Sequence, residues 1–475
     1  MVNTVNRKKL VIIGCGASAV ILLAELCSGT SINAANNAFA NVDVIIFDDN
    51  PEQPSGLAYA VKHPDFILNV PAIKMGAQLA RQDGFYQWLQ DNQSSWSKLH
   101  PELEGVNYGE NDFVPRMLYG EYLKSVYDQT KAVLHERGVN IVERGERAER
   151  IEPSGEQVTV ATARENIIAD AVVFCSGHGD QNRFNSNELD HSLSPYSQAG
   201  LAEDWSKYHH ILIVGSGLSM VDFIQYGEAK GFSGKYHVVS RSGLLPLAHD
   251  SADCPQPLPE LKIDLENLSC ARLLKSFKKY VADNQQLGIG WQHSLHRIRE
   301  KVNLLFSTLS PTDKARLSRL VPWWNIHRHR IPLEAYQRLT QLQHHERLQI
   351  YRGTLLAIKQ EQSGCSLLVN SNASGAHVIE IAADKFINCS GRTAGFTKVA
   401  KIAPTLLHSK DELNRLLVKS AADFKIAPLH AVYAIGPALS GVLFETTAIH
   451  EIRQQANRVA SALNGVFAST AGVIP

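Results

Sequence analysis

The chain has 475 residues, 44% of them hydrophobic, and its 47 Lys+Arg are balanced by 47 Asp+Glu. A single core stops growing at roughly 250–300 residues, so two domains are expected. Zero formal charge excludes a global field that would gather nucleic acid or an anionic membrane, leaving a small molecule as the expected partner. The seven cysteines (15, 27, 175, 254, 270, 365 and 389) are scattered, with no C-x-x-C pair and no His/Cys cluster at zinc spacing. They read as reduced thiols in the cytoplasm, and without C-x-x-C there is no redox-active disulfide.

Arg7, Lys8 and Lys9 precede an apolar run from Val11 to Ala24, an arrangement that imitates a signal peptide. The glycines inside the run, Glu25 after it and the missing disulfide framework favour a strand, turn and helix instead. No segment reaches the ~18 uninterrupted apolar residues that span a membrane. In GCGASA, Gly14, Gly16 and Ala19 fit G-x-G-x-x-G/A directly after a buried-type strand. The first glycine makes the tight turn, the second admits a pyrophosphate, and the small third residue lets helix and strand pack. The helix N-terminus adds free N–H groups for the diphosphate, which gives Ser18 a binding role rather than a nucleophilic one. A second strand, VDVIIFD (42–48), ends on Asp48, placed to accept ribose hydroxyls; Asp49 competes for that role. Asp48 lies 29 residues beyond Ala19 instead of the usual ~20, with the polar stretch from Ser28 to Asn41 as the insertion.

Three more apolar strands end on glycine: DAVVFCSG (170–177), HILIVGSG (210–217) and KFINCSG (385–391). The first of these places Gly177 with the first nucleotide site. The second repeats the dinucleotide turn with Gly215 and Gly217, although Met220 stands where a small third residue is usual. Its partner strand, KYHVVS (235–240), ends at Ser240-Arg241-Ser242 without an acid. A guanidinium with hydroxyls suits a 2′-phosphate, so NADPH is favoured over NADH; the alternative is a solvated loop arginine. The strands at 170–177 and 385–391 run into polar, irregular sequence, as expected where a chain leaves one domain and later returns. The expected α/β fold therefore has two Rossmann-like dinucleotide-binding domains, one inserted into the other. Residues 1–207 and 390–475 form the discontinuous domain, and 208–389 form the inserted one with a helical insertion around 255–330.

The segment from His293 to Arg330 is basic, with Trp323 and Trp324 nearby. Stacking indoles and phosphate-binding cations would suit nucleic acid, but the run fits an amphipathic helix with a charged face. Arg328 and Arg330 are alternatively read as contacts to NADPH or an anionic substrate, and His327 and His329 as structural. There is no G-x-S-x-G, H-E-x-x-H or Walker loop.

The stretches VIIGCGASA, GLAYAVKHPDFILNVPAIKMGA (56–77), VPRMLYGEYL (114–123), VGSGLSMVD (214–222), WWNIHRHRIP (323–332) and IGPALSGVLFETTAIHEIRQQA (435–456) span nearly the whole chain. With them the sequence resembles FAD/NAD(P)-binding flavoproteins related to FAD-dependent urate hydroxylase and, more distantly, flavin N-hydroxylases and other class B flavin monooxygenases. The resemblance implies FAD in the first domain and NADPH or NADH in the second. It places Asn69 and Met75 near the isoalloxazine, and Arg116 and Tyr119 at the start of a flanking helix. It puts Gly436 on the segment leading into the final helix, although Pro437 replaces the Asp that often binds the ribityl chain. Backbone N–H groups around Thr446 would face the flavin, while Asn69-Val-Pro is alternatively only a turn. Glu445 and Glu451 alternatively complement Arg453 on a solvated helix. The function implied is a monooxygenase that hydroxylates a small molecule with O2 through a C4a-(hydro)peroxyflavin. Two alternatives stand beside it: an NAD(P)H-dependent flavin reductase or oxidase, and a nucleotide-binding sensor without turnover.

Overall fold

The computed structural model describes residues 7–28, 39, 41–181, 192–193, 204–250, 257–361, 364–371, 377–419 and 422–468. Most of the proposed insertion between Ser28 and Asn41, and Cys254, lie outside them. The chain divides into two compact units: unit 1 holds residues 1–62, 70–180 and 393–475, and unit 2 holds 63–69 and 181–392.

Unit 1 begins with β1 (Lys8–Ile13), α1 (Ala17–Ser28) and β2 (Val42–Phe47), followed by α2 (Gly84–Asp91), α3 (Gln93–Leu99), α4 (Arg116–Glu136) and β3 (Asn140–Arg144). An antiparallel sheet of β4 (Arg150–Ser154), β5 (Gln157–Ala161) and β6 (Asn166–Ala169) then leads into β7 (Ala171–Phe174).

Unit 2 contains β8 (Ser192–Leu193), β9 (His210–Val214), α5 (Leu218–Ala229) and β10 (Lys235–Ser240). Five helices follow: α6 (Cys270–Gln286), α7 (Trp291–Thr308), α8 (Pro311–Ser318), α9 (Val321–Arg328) and α10 (Leu333–His344). The unit closes with β11 (Leu348–Glu361), β12 (Gly364–Ser371), β13 (His377–Ala383) and β14 (Lys385–Asn388). The chain returns to unit 1 with α11 (Gly395–Ile402), α12 (Lys410–Leu417), β15 (Val432–Ala434) and α13 (Ile449–Ala468).

In unit 1 the strands run in the order β15-β7-β1-β2-β3, all parallel. Leu10–Ile13 and all of β7 are buried, which is why they read as unbroken apolar runs: a parallel sheet covered on both faces has no solvent side to alternate with. Unit 2 has the order β13-β12-β11-β10-β9-β14-β8, parallel from β8 to β11 and antiparallel in the β11–β12–β13 meander. The chain crosses out after β7 and back after β14. In unit 1 the two crossings lie side by side, with Gly179 N–H donating to Thr393 O at 3.0 Å and Thr393 N–H to Asp180 O at 2.8 Å.

The unit boundaries at 180/181 and 392/393 differ from the expected 207/208 and 389/390, because β8 and Trp205 already belong to unit 2. Residues 63–69 also belong to unit 2, where the Phe66 ring packs 5.8 Å from Phe223 and 5.6 Å from Tyr226. The helices of the insertion extend past 330, through α10. After Gly391 the chain is not wholly irregular, since α11 starts at Gly395. The basic segment is no single charged face: it spans three helices, with Arg297 paired to Glu300 at 2.9 Å, Arg316 to Asp313 at 3.3 Å, and Arg328 and Arg330 buried. Among the described residues, no helix is long and apolar enough to cross a membrane.

Candidate functional site

In unit 1 the chain turns from β1 into α1 at Gly14, whose φ of +97° favours a residue without a side chain. A Cβ there would sit 2.6 Å from the Cys175 carbonyl oxygen. Gly16 faces Gly56, so that a Cβ on either would lie 3.2–3.3 Å from the other's Cα. The groove beside the start of α1 is thus lined by backbone; the Ala19 and Val20 N–H groups donate to the Gly16 carbonyl at 2.9 and 3.2 Å, while those of Ala17 and Ser18 have no intrahelical acceptor. Ala19 is fully buried, the close contact its small side chain permits.

The structure separates the two candidate acids. Asp48 belongs to the turn, its Oδ2 accepting the Cys15 N–H at 2.7 Å and its Oδ1 the Asn50 N–H at 2.9 Å. A carboxylate offers about four lone-pair sites, so two remain for ribose hydroxyls. Asp49 points instead to Arg147, whose Nε donates to both of its oxygens at 2.8 Å. The Ser176 hydroxyl, next to Gly177 at the end of β7, is buried without a partner. A backbone groove, a half-used carboxylate and an unpaired hydroxyl fit a bound dinucleotide. Burial pushes the neighbouring Cys15 thiol up to about 12 and that of Cys175 well above its ordinary value, which favours the protonated form of both.

The C-terminal segment closes on the same turn. The Ser18 hydroxyl rests against Gly436, where a Cβ would lie 2.5 Å from its Oγ. Gln455, on α13, accepts the Gly436 N–H at 2.6 Å and donates to the Thr446 hydroxyl at 3.0 Å, which donates to the Gly436 carbonyl at 2.8 Å. Gly436 and Thr446 are therefore brought together by a residue the sequence reading did not single out. The ring occupies the Thr446 hydroxyl, leaving its backbone for any cofactor contact.

Arg453 is a correction. It is 1% exposed rather than solvated, and its Nη1 donates to the carbonyls of Gly76 at 2.6 Å and Lys74 at 3.2 Å, on either side of buried Met75. Glu25 is also buried and accepts from Leu79 N–H at 2.5 Å and Asn457 Nδ2 at 2.8 Å. Arg116 opens α4 in a buried position. Tyr119, one turn later, is buried with its hydroxyl unpaired. Asn69 falls in unit 2 and Met75 in unit 1. The Asn69 carbonyl accepts from His249 Nε2 at 2.9 Å.

The turn in unit 2 has the same form. Gly215 has φ +105°, and a Cβ there would sit 2.0 Å from the Cys389 carbonyl oxygen. At Gly217 a Cβ would meet nothing within 4 Å, so the groove at the start of α5 is open. Met220 is fully buried, and α5 forms with it in place of a small residue. Ser240 Oγ accepts from the Ser216 hydroxyl at 2.9 Å and from Gly243 N–H at 3.0 Å, tying the two loops together. Arg241 is exposed. Arg352, also exposed, was not foreseen: it is the register partner of Ser240 across β10 and β11, and its Cβ lies 3.0 Å from where a Gly243 Cβ would be. In-register side chains share a face of the sheet, so the Arg352 guanidinium and the Ser240 hydroxyl share one at the end of β10, with Arg241 the next residue along the chain. Only the pairing of residues 112 positions apart in the chain (240 and 352) reveals this.

A family model described as FAD-NAD(P)-binding matches residues 11–179. A search of curated protein sequences returns no match. Among solved structures, the reduced form of ornithine hydroxylase from Pseudomonas aeruginosa superposes with a TM-score of 0.59 at 16% identity, covering 97% of this chain and 99% of that one. L-lysine 6-monooxygenase from Pseudomonas syringae gives 0.61 at 14% identity, covering 97% and 100%. Ornithine N-hydroxylase from Kutzneria sp. 744, with reduced FAD, NADP+ and L-ornithine, gives 0.60 at 12% identity, covering 97% and 99%. At these identities the likeness is one of fold: the chain has the architecture of flavoproteins with two dinucleotide domains.

Proposed function

We propose that the protein is an FAD-dependent, NADPH-using monooxygenase that hydroxylates a small molecule, with FAD in unit 1 and NADPH in unit 2. The observation that carries this reading is the presence of two glycine turns of one form in one chain, at Gly14–Gly16 and at Gly215–Gly217, each with its first glycine at positive φ against the carbonyl that follows a neighbouring strand. Support comes from the fold likeness to N-hydroxylating enzymes over 97% of the chain. Bound FAD would take a hydride from the nicotinamide and, once reduced, activate O2. The chain's own residues bind and orient: Asp48 accepts ribose hydroxyls, α1 presents N–H groups to the diphosphate, and the Gln455–Thr446–Gly436 ring and Arg453 fix the loops around the cofactor.

On this reading Asp48→Asn weakens FAD, since losing one charge-assisted contact costs about 1.5–3 kcal/mol, roughly ten- to a hundredfold. Asp49→Asn breaks only an exposed pair with Arg147 and costs less than about 1 kcal/mol. Reconstitution of the two apoproteins with FAD checks this, and the reverse ranking would move the ribose to Asp49. At the other cradle, Arg241→Ala and Arg352→Ala should each weaken NADPH by roughly ten- to a hundredfold while leaving NADH nearly unchanged. Equal losses for both nucleotides would place the 2′-phosphate elsewhere.

The oxygen chemistry is tested by absorbance during reoxidation of the reduced protein. A transient that is neither reduced nor oxidised flavin, followed by hydroxylated product, is expected. In Asn69→Ala, which removes the side-chain amide but leaves the carbonyl held by His249, the transient should shorten and peroxide per NADPH should rise, with FAD retained. Direct return to oxidised flavin with stoichiometric peroxide, under every compound tried, would establish an oxidase instead.

A further inference from the structure

Arg299, Arg328 and Arg330, in unit 2, lie on elements other than the strands and glycine turns of the two cradles. Arg330 is only 6% exposed, and its Nε and Nη1 have no hydrogen-bond partner. The guanidinium lies 5.7 Å from the centroid of the Trp291 ring, which covers its flat face but satisfies none of its in-plane N–H donors. Arg328 and Arg299 are close enough to lower its pKa, which burial and these two neighbours bring to about 10, with Asp250 acting in the opposite sense. Arg330 is therefore still charged at neutral pH. His329, half-buried between Arg328 and Arg330 in sequence, is pushed down to about 3 by desolvation and the neighbouring arginines and adds no charge at neutral pH. The charged groups acting on Arg330 are thus Arg328 and Arg299, of like sign, and Asp250, of opposite sign. A buried cation whose donors are unpaired is unfavourable unless an anion completes it.

The surroundings hold the site in shape. Ile331 N–H donates to Leu247 O at 2.9 Å and His249 N–H to Ile331 O at 2.9 Å. Gln292, beside Trp291, donates to Ala248 O at 3.0 Å and accepts the Asp250 N–H at 3.0 Å. The same loop reaches Asn69 through His249 Nε2. This places the arginines on the framework that carries Asn69, whereas Arg352 pairs in register with Ser240 at the end of β10.

We propose that Arg330, with Arg299 and Arg328 around it, forms a preformed oxyanion site that takes the carboxylate or phosphate of a small ligand other than the pyridine nucleotide. The assignment deepens the monooxygenase reading, in which that ligand is the molecule to be hydroxylated. It rests on that reading for the ligand's fate and not for its binding.

The test is calorimetric titration of the full-length, FAD-loaded, oxidised protein with benzoate, inorganic phosphate and NADP+. Either benzoate or phosphate should bind the wild type, and Arg330→Met should weaken that anion at least tenfold while NADP+ changes less than twofold. Arg330→Lys keeps the charge but loses the planar fork, so it should fall between the two; it also serves as the variant if the methionine protein does not fold. The anion that binds tells a carboxylate ligand from a phosphate one. The proposal is overturned by a wild type that binds neither anion, by anion affinities unchanged in the variants, or by a loss confined to NADP+. Because the readout is binding without turnover, anion binding in a protein that forms no hydroxylated product would overturn the monooxygenase reading alone.

Discussion

Gly14→Ala is expected to yield a protein without bound flavin, and Gly215→Ala one that retains flavin but is not reduced by NADPH. Each substitution puts a side chain on a residue at φ +97° or +105°, which costs about 1–2 kcal/mol for an L-residue. It also drives a Cβ to 2.6 Å from the Cys175 carbonyl in one case and 2.0 Å from that of Cys389 in the other. Those atoms are backbone at the ends of buried strands and cannot swing aside as a side chain would. The loop must move instead, and the N–H groups it positions move with it. The ratio of flavin to protein absorbance after purification reports the first variant, and anaerobic reduction of bound flavin by NADPH reports the second. A folded Gly14→Ala protein with full flavin content would separate the turn from cofactor binding.

The second large effect is expected at Arg453. Replacement by Met leaves the Lys74 and Gly76 carbonyls, now bridged by Nη1, without their charged donor. Unsatisfied buried acceptors cost about 1–3 kcal/mol each, so a loss of roughly 2–5 kcal/mol is expected in denaturant unfolding followed by flavin release. Arg453→Lys should recover part of it, since an ammonium reaches one carbonyl more readily than both. A loss under about 1 kcal/mol would mean that water replaces the guanidinium, and that the Met75 segment does not depend on it.

The features legible in sequence are those fixed by local pattern. Glycines after buried strands marked both turns, and both first glycines have positive φ. The features that escaped are set by partners far along the chain. Asp48 and Asp49 are adjacent and chemically identical, and only the Cys15 N–H on one side and Arg147 on the other tell them apart. Arg453 sits among polar residues in a helix that reads as solvated, yet it is buried because α13 packs against the 72–76 segment, which contributes two carbonyls to its guanidinium. Arg352 meets Ser240 only through strand register. The basic run around Arg330 was visible as charge, but whether it faces water or the interior is decided by tertiary packing, which composition does not encode.

The interrupted layout of unit 1 also bears on the order in which the protein matures at the ribosome. Apart from its short 63–69 segment, unit 2 is one continuous stretch, complete once Arg392 has been made. At that moment the first sheet still lacks its edge strand β15 and the helix that carries Gln455 and Arg453. At translation rates of about 5–20 residues per second, the final helix follows on the order of 4–15 s later. During that interval the apolar flank of β7, which β15 will cover, stands open, and the flavin loops have no C-terminal tether. The inserted unit can therefore fold first, while cofactor capture is among the last events in the making of the chain.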